Sequence, residues 1–460
     1  MGLNQKIKQN INRLKNKKVI VKIITSYSKI YEMKIMEFET AFTMDTSSIK
    51  YGPGVTREVG YDMKKLGANR VMVVTDPNLT NSEPVSVTIK ALQEENIEFV
   101  LFDKARVEPT DGSFKIAAKF AVEGKFDGFI GVGGGSSMDT AKIANLYSTY
   151  PAEFLDYVNR PIGKGTPIPG PLKPMIAIPT TAGTGSETTG VAIFDLESMH
   201  AKTGIAHRAL RPVMGIIDPN NTRTVPKMAT ASCGFDVLCH ALESLTAIPY
   251  HKRPAPESLE LRPAYQGANP ISDLWASKAI EMVSKYIVRV VQDPNDDKAR
   301  AAMIQAATFA GIGFGNAGVH LAHGMSYPVS GMVREYIPEG IKSEHPIIPH
   351  GMGVVLVSPA VFRFTAKTNP EVHLYAAKLM GIDVTNADKK DAGEILATEI
   401  IRLMRATGMP NGLSAVEFGL SDIDELVQGT LPQHRVTKLS PRPASADDLK
   451  QLFTDSMTLW

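Results

Sequence analysis

The sequence is short of cysteine, of net charge and of long apolar runs, and each shortage excludes a class of protein. Its 460 residues include two cysteines, Cys233 and Cys239. Two thiols cannot build a disulfide framework, so a reducing compartment is expected. Lys and Arg number 50 against 48 Asp and Glu, a net charge of +2. So balanced a chain gives no reason to expect a nucleic-acid partner. No apolar run approaches the roughly 20 residues that a membrane span needs. The start "MGLNQK" has no Ser or Thr at its sixth position, which disfavours myristoylation. No internal repeat is visible, and the glycine triplet Gly133, Gly134 and Gly135 does not fit the G-x-G-x-x-G dinucleotide pattern. With 43% hydrophobic and 21% charged residues, the composition is that of a soluble chain with two or three domains.

Acid is also missing from the N-terminus. Lys6, Lys8, Arg13, Lys15, Lys17, Lys18, Lys22 and Lys29 all precede the first acid, Glu32. A basic, partly amphipathic leader of this kind, with Ser and Thr towards its end, is expected to be a mitochondrial transit segment over residues 1–40. It is richer in Lys than in Arg, and a solvated basic tail is the alternative.

Beyond the leader the chain has two grammars. From Ala41 to about Asp218, short β-rich runs alternate with helical stretches. "NRVMVVTD", "IEFVLFD", "FDGFIGVGGG", "PMIAIPTT" and "VMGIIDP" read as strands, with "IKALQEEN" and "FKIAAKFAVEGK" as helices between them. That alternation predicts a parallel sheet with helices on its faces. From about Pro219 strands fade out. "ISDLWASKAIEMVSKYIVRVVQ", "DKARAAMIQAATFAGIGFGNA" and "AGEILATEIIRLMRATG" have helical period and length. The expected division is 41–218 for an α/β domain and 219–460 for a helical one. An active site belongs in the crevice at the carboxyl ends of the strands.

Two polar segments fall at such strand ends. Gly133, Gly134, Gly135 and Ser136 lie between a strand and a helix, where free N–H groups and a close backbone approach suit a phosphate. A tight turn needing glycine for steric reasons is the plainer alternative. Asp139 follows, either to cap the helix or to hold a ribose or nicotinamide group. "IPTTAGTGSETTG" adds Thr180, Thr181, Thr184 and Ser186 as hydrogen-bonding groups for a phosphate, ribose or amide. Asp76 ends a strand where a ribose-binding acid would sit; a turn aspartate before Pro77 serves equally well.

The helical half opens with "FDVLCHALES", in which Asp236 and His240 are four residues apart. On a helix they share a face, with Cβ atoms roughly 5–6 Å apart. A salt bridge would explain the pair alone. "GVHLAHGMSYPV" adds His320 and His323, and "HPIIPHGMG" adds His345 and His350. One carboxylate with several imidazoles is the donor set of first-row divalent metals. His323 and His350 each precede a glycine, which leaves room around the ring. Cys239 projects about 100° away from His240 and reads as packing.

Together "GGGSSMDTAK", "PTTAGTGSE", "DVLCHALE" and the spaced "HGM" and "PHG" resemble the group III, iron-dependent alcohol dehydrogenases from about Thr40 to the C-terminus. The resemblance implies a Rossmann-like α/β N-terminal domain plus an all-helical C-terminal domain, a fold shared with dehydroquinate synthase-like lyases. It implies Asp236, His240, His323 and His350 as metal ligands, Fe2+ first and Zn2+ second, with NAD as cofactor. Many members carry a further histidine four residues after that of "HGM"; this chain has Tyr327, a candidate proton relay or a filler of the same volume. The insertion "GMVREYIPEGIKSEHPII" and "HRALRP" are similar to one mitochondrial branch, the hydroxyacid–oxoacid transhydrogenases.

That branch implies a hydride passed from 4-hydroxybutyrate, which becomes succinic semialdehyde, to 2-oxoglutarate, which becomes 2-hydroxyglutarate. A tightly held nicotinamide would store it between halves. The expected partners are small hydroxy- and oxo-carboxylates, with no nucleic acid and no membrane span, and the expected form is a homo-oligomer. Lys202, Arg208, Arg211, Arg334 and Lys342 are candidates to meet the substrate carboxylates. Glu243, seven residues after Asp236, is placed to orient a ligand histidine or to be a surface acid. An alcohol dehydrogenase using free NAD would share every motif. The apolar surroundings of "LCHALE" disfavour a sugar-phosphate lyase.

Overall fold

The computed structural model describes residues 38–199, 201–343 and 345–460. The basic leader over 1–40 lies outside them except for its last three residues. Residues 38–41 and His251–Arg262 form one small unit. In it Phe38 bridges Pro254, and the Glu39 carboxylate accepts two bonds from Arg262, at 3.0 and 3.1 Å. Phe42–Tyr250 and Pro263–Trp460 form the second unit, which holds everything described below.

Six parallel strands make its sheet: β1 (Ser48–Tyr51), β2 (Arg70–Val74), β3 (Glu98–Phe102), β4 (Gly128–Gly133), β5 (Met175–Pro179) and β8 (Met214–Ile217). Their order is β1-β8-β5-β4-β2-β3. β6 (Val191–Leu196) and β7 (Ala201–Ala206) form a separate antiparallel hairpin. The hairpin is a finding that the strand–helix alternation did not predict. Helices α1 (Val59–Lys65), α2 (Glu83–Glu94), α3 (Asp111–Gly124) and α4 (Gly135–Thr149) alternate with the strands, and α5 (Phe154–Tyr157) is a single turn.

The sheet is apolar on both faces because both are covered. Val71 and Val73 of β2 pack with Val59 and Met63 of α1 and Val85 and Leu92 of α2. Met72 and Val74 point the other way, towards Ala117 and Ala121 of α3 and Ala141 of α4. Alternation along one strand therefore feeds two layers. Local chemistry sets the helix starts. Thr110 and Ser113 make a reciprocal capping box at α3, and Pro84 stands in the first turn of α2.

Beyond β8 only helices follow among the described residues: α6 (Lys227–Thr246), α7 (Pro270–Gln292), α8 (Asp297–Ala317), α9 (Leu321–Gly331), α10 (His350–Thr365), α11 (Pro370–Leu379), α12 (Ala392–Thr407), α13 (Ile423–Thr430), α14 (His434–Thr437) and α15 (Ala446–Asp455). α6 is their centre. Every residue from Gly234 to Thr246 is buried, as expected of a helix enclosed on all sides. None of the helices is long and apolar enough to cross a membrane.

The polar loop after β5 rests directly on α8. Gly185 has φ 61°, and a Cβ there would lie 2.7 Å from the Gly311 Cα. A Cβ on Gly311 would lie 2.3 Å from the Thr188 hydroxyl and 2.9 Å from the Gly185 carbonyl. Two glycines thus let the loop and α8 approach backbone to backbone. Gly311→Ala should lower stability by about 1–3 kcal/mol through overpacking, read as a shifted urea midpoint at constant m. An unchanged midpoint would show that the contact yields freely.

Candidate metal centre and cleft

Three helices deliver four donor groups to one point. α6 supplies Asp236 and His240 from adjacent turns, α9 supplies His323, and α10 begins with His350. The Nε2 atoms of His240, His323 and His350 stand 3.7, 3.7 and 3.8 Å from Asp236 Oδ1. One donor atom from each of the four lies within 4.8 Å of the others. Donors about 2.0–2.2 Å from one tetrahedral ion are roughly 3.4 Å apart, so the cluster is of the right size. Asp236 Oδ1 and His323 Nε2 are buried without a hydrogen-bond partner, and a cation among them would satisfy both. These residues therefore fit a divalent metal.

Glycine makes the approach of α10 possible. A Cβ on Gly351 would lie 2.0 Å from the Ser232 carbonyl and 2.7 Å from Asp236 Cβ. A Cβ on Gly324 would lie 2.6 Å from Thr437. The small residue after each histidine serves helix packing instead of clearing space around the ring.

Glu243 is fully buried, which excludes the surface acid. Its Oε1 accepts the Ala322 N–H at 2.7 Å and the His323 N–H at 3.4 Å, capping α9 from outside. Its Oε2 bonds His323 Nδ1. That leaves His323 Nε2 aimed at Asp236. His320 turns away, with Nε2 2.9 Å from Thr246 Oγ1, and His345 is not part of the donor cluster. Cys239 is buried and contacts Ser358, as packing.

Charge follows from this enclosure. Burial pushes the Asp236 carboxyl up, but His240, His350 and His323 more than offset it and hold the group well below the usual carboxylate range. Burial pulls His240 down to about 3. Burial would lower His323 too, yet Glu243 and Asp236 push it up to about 9.

The cluster opens into a cleft walled by the glycine turn, the hairpin and the helices. The His350 side chain is 25% exposed against 2–6% for its three partners, so access comes from its side. Of the ten proposed nucleotide-binding residues, Gly135, Ser136, Asp139, Thr184 and Ser186 line the cleft. Asp76, Gly133, Gly134, Thr180 and Thr181 do not. A Cβ on Gly133 would meet Ser137 Oγ at 2.5 Å, and one on Gly135 would meet Thr184 at 2.7 Å, so the turn needs glycine on steric grounds as well. The Asp76 carboxylate accepts the Asn78 N–H at 2.9 Å, as a turn aspartate does. Asp139 does not cap α4. Its oxygens take Ser186 Oγ at 2.6 Å, Lys142 Nζ at 3.1 Å and the Ile193 N–H at 3.0 Å, tying helix, loop and hairpin together.

Among the carboxylate candidates only Lys202 lines the cleft, and Glu108 and Asp195 hold it at 2.5 and 3.3 Å. Arg208 pairs with Asp45, Arg211 binds the Thr188 carbonyl, and Arg334 pairs with Asp422. Tyr327 lines the cleft and stacks on His350, with ring centroids 6.1 Å apart. Several lining residues were missed from sequence. Phe314 lies flat on His240 at 3.9 Å. Glu108 adopts φ 54°, rare for a non-glycine residue. Arg435 donates to the Tyr327 hydroxyl at 2.8 Å. None stands in a local motif that would single it out.

A parallel α/β sheet with a glycine turn, joined to a helical body that presents a four-donor cluster, is the architecture of a metal-dependent α/β enzyme. Residues 46–219 match the model of the iron-containing alcohol dehydrogenases, and residues 264–457 match that of their C-terminal domain. The chain belongs to the iron-containing alcohol dehydrogenase family. It is 54% identical over 422 residues to the hydroxyacid-oxoacid transhydrogenase, mitochondrial, of Bos taurus, covering 91% of each chain. The Homo sapiens protein of the same name is also 54% identical, over 91% of this chain and 90% of its own length. Among solved structures, a 1,3-propanediol oxidoreductase superposes with a TM-score of 0.79 at 25% identity, over 90% of this chain and all of that one.

Glu243→Gln should weaken divalent-metal affinity about 10–100-fold, since it loses the anionic grip on His323. Chelator competition measures this, and equal affinity would deny Glu243 its orienting role. A ligand nitrogen must also shed its proton. With His323 at about 9, affinity of the metal-stripped protein should rise roughly tenfold per unit between pH 6 and 8, and a flat profile would contradict this.

Proposed function

We propose that the chain is a mitochondrial hydroxyacid–oxoacid transhydrogenase that oxidises 4-hydroxybutyrate to succinic semialdehyde and reduces 2-oxoglutarate to 2-hydroxyglutarate. The observation that carries the reading is the convergence of Asp236, His240, His323 and His350 beside the glycine turn in one cleft. Identity of 54% with transhydrogenases along nearly the whole chain supports the particular reaction and the compartment.

In this proposal Asp236, His240, His323 and His350 hold the metal, Fe2+ before Zn2+. When bound, the ion supplies Lewis-acid polarisation of the substrate oxygen. Residues 41–218 hold NAD tightly, and the nicotinamide supplies the hydride store. Gly135 and Ser136 would meet its phosphates, with Thr184 and Ser186 beside them in the same cleft.

The chain's own groups then set orientation and proton handling. Glu243 keeps His323 Nδ1 engaged, so that Nε2 faces the cluster. Phe314 and Val319 wall the cleft with apolar surface and keep water from the reacting carbon. Tyr327 accepts from Arg435 through its oxygen, which leaves its own O–H to donate into the cleft. It is the proposed group that gives and takes the substrate proton. Each half-reaction moves one hydride and one proton, in opposite directions, so neither free cofactor nor net proton is consumed.

Purified protein mixed with 4-hydroxybutyrate and 2-oxoglutarate, without added NAD, should form succinic semialdehyde and 2-hydroxyglutarate in equal amounts. Product appearing only after NAD is added would replace this reading with a free-cofactor alcohol dehydrogenase. His323→Ala should lower turnover at least about a thousandfold, the worth of several kcal/mol of lost charge stabilisation. Retained turnover would remove His323 from the ligand set.

A further inference from the structure

The charges around the cleft are paired, with one exception. Glu108 pairs with Lys202, Asp139 with Lys142, and Asp236 sits among three imidazoles. Arg435 also lines the cleft, and among the described residues no carboxylate lies in ion-pair distance of it. Its Nη2 donates to the Tyr327 hydroxyl at 2.8 Å. Its guanidinium carbon stands 5.2 Å over the Tyr265 ring. Its Nη1 is buried and has no hydrogen-bond partner. The residue is half-buried, yet a cationic donor shut away from water and left unused is costly unless an anion completes it. The fork of a guanidinium fits a carboxylate better than any other small anion-binding side chain does.

We propose that Arg435 is the carboxylate-binding residue of the cleft, gripping the distal acid group of both the hydroxy acid and the oxo acid, with Tyr327 as the residue that positions it. This rests on the transhydrogenase reading for its substrates. Tyr327 lies one turn after His323 on α9 and stacks on His350. A substrate anchored on Arg435 therefore points its other end at the donor cluster. The chemistry of the two acids supports a single anchor. In 4-hydroxybutyrate the carboxylate is as many carbon–carbon bonds from the hydroxyl-bearing carbon as the distal carboxylate of 2-oxoglutarate is from its keto carbon. One fixed guanidinium can then present either reacting carbon at the same place, which a shuttle between two substrates requires. Lys202 is less suited, because two carboxylates already surround it. The departure from the family pattern at Tyr327 also gains a reason: a hydroxyl there can hold an arginine that would repel a protonated imidazole.

Calorimetry of 2-oxoglutarate binding to the holoenzyme, for the wild type, Arg435→Gln and Arg435→Lys, tests this directly. The glutamine variant should bind at least about thirtyfold more weakly, and the lysine variant should fall between. In kinetics, 2-oxopentanoate is the comparison substrate, since it matches 2-oxoglutarate without the distal carboxylate. The ratio of kcat/KM for 2-oxoglutarate over 2-oxopentanoate should drop about a hundredfold in Arg435→Gln, mostly through KM. Equal loss on both substrates would reveal a structural role and overturn the proposal. So would unchanged 2-oxoglutarate binding in the variant, or absence of that binding in the wild type. Weakened NAD binding with intact acid binding would assign the anion to the cofactor and overturn it as well. If Arg435-dependent binding is found but the acid pair yields no product without added NAD, the transhydrogenase reading falls and the anchor stands. Where the glutamine variant does not fold, the lysine variant carries the same comparison.

Discussion

Asp236 carries a carboxylate that is 3% exposed, with three imidazole nitrogens 3.7–3.8 Å from one of its oxygens. An ionised carboxylate taken out of water costs several kcal/mol unless opposite charge surrounds it. The rest of the helical half follows from meeting that demand. α6 has to be enclosed on every side, so its neighbours pack against an apolar surface interrupted only where Asp236, His240 and Glu243 need partners. α9 and α10 have to arrive with their first turns at the same spot. Glycine at Gly351 lets α10 touch the backbone of α6. Glu243 caps α9 and holds its histidine with the same carboxylate.

The α/β half is coupled to this centre through polar contacts that leave little slack. Asp139, Lys142 and Ser186 form one buried knot that binds the glycine-turn helix to the loop after β5 and to the hairpin. The same loop meets α8 at Gly185 and Gly311. Phe314, three residues further along α8, lies flat on His240. The glycine-turn side and the four-donor side of the cleft therefore share one rigid seam. A hydride transfer needs such a seam, because the reacting atoms must be held about 3–3.5 Å apart. Within the cleft Glu108 pairs with Lys202, and among the described residues no carboxylate stands in ion-pair distance of Arg435.

Much of the architecture was legible in the chain. The strands are short, Val- and Ile-rich and closed by polar turns, because a strand covered on both faces has no polar side to show. The long helices of the second half kept their period for the same reason. Half of the donor cluster was also visible, since helix geometry places Asp236 and His240 on one face. His323 and His350 had no local signal that joined them to that pair. Only the order of motifs, through resemblance to a family, singled them out from His320 and His345. The residues that were missed belong to no motif. Arg435 comes from a four-residue helix near the C-terminus, and Phe314 from the end of a helix that reads as packing. Asp139 was read as a cap or a ligand, whereas its oxygens are occupied by the loop and the hairpin.

The sequence by itself determined the class of fold, the helix that carries the aspartate–histidine pair, and the glycine turn at a strand end. Each of these follows from local periodicity or local conformational freedom, and such properties act over a few residues. The tertiary structure alone decided which histidines face Asp236, that Glu243 is buried behind one of them, and which cation near the cleft is left unpaired. Those outcomes depend on contacts between segments tens to hundreds of residues apart. A charge is matched or unmatched only after every neighbour has taken its place, and no stretch of chain contains that information alone.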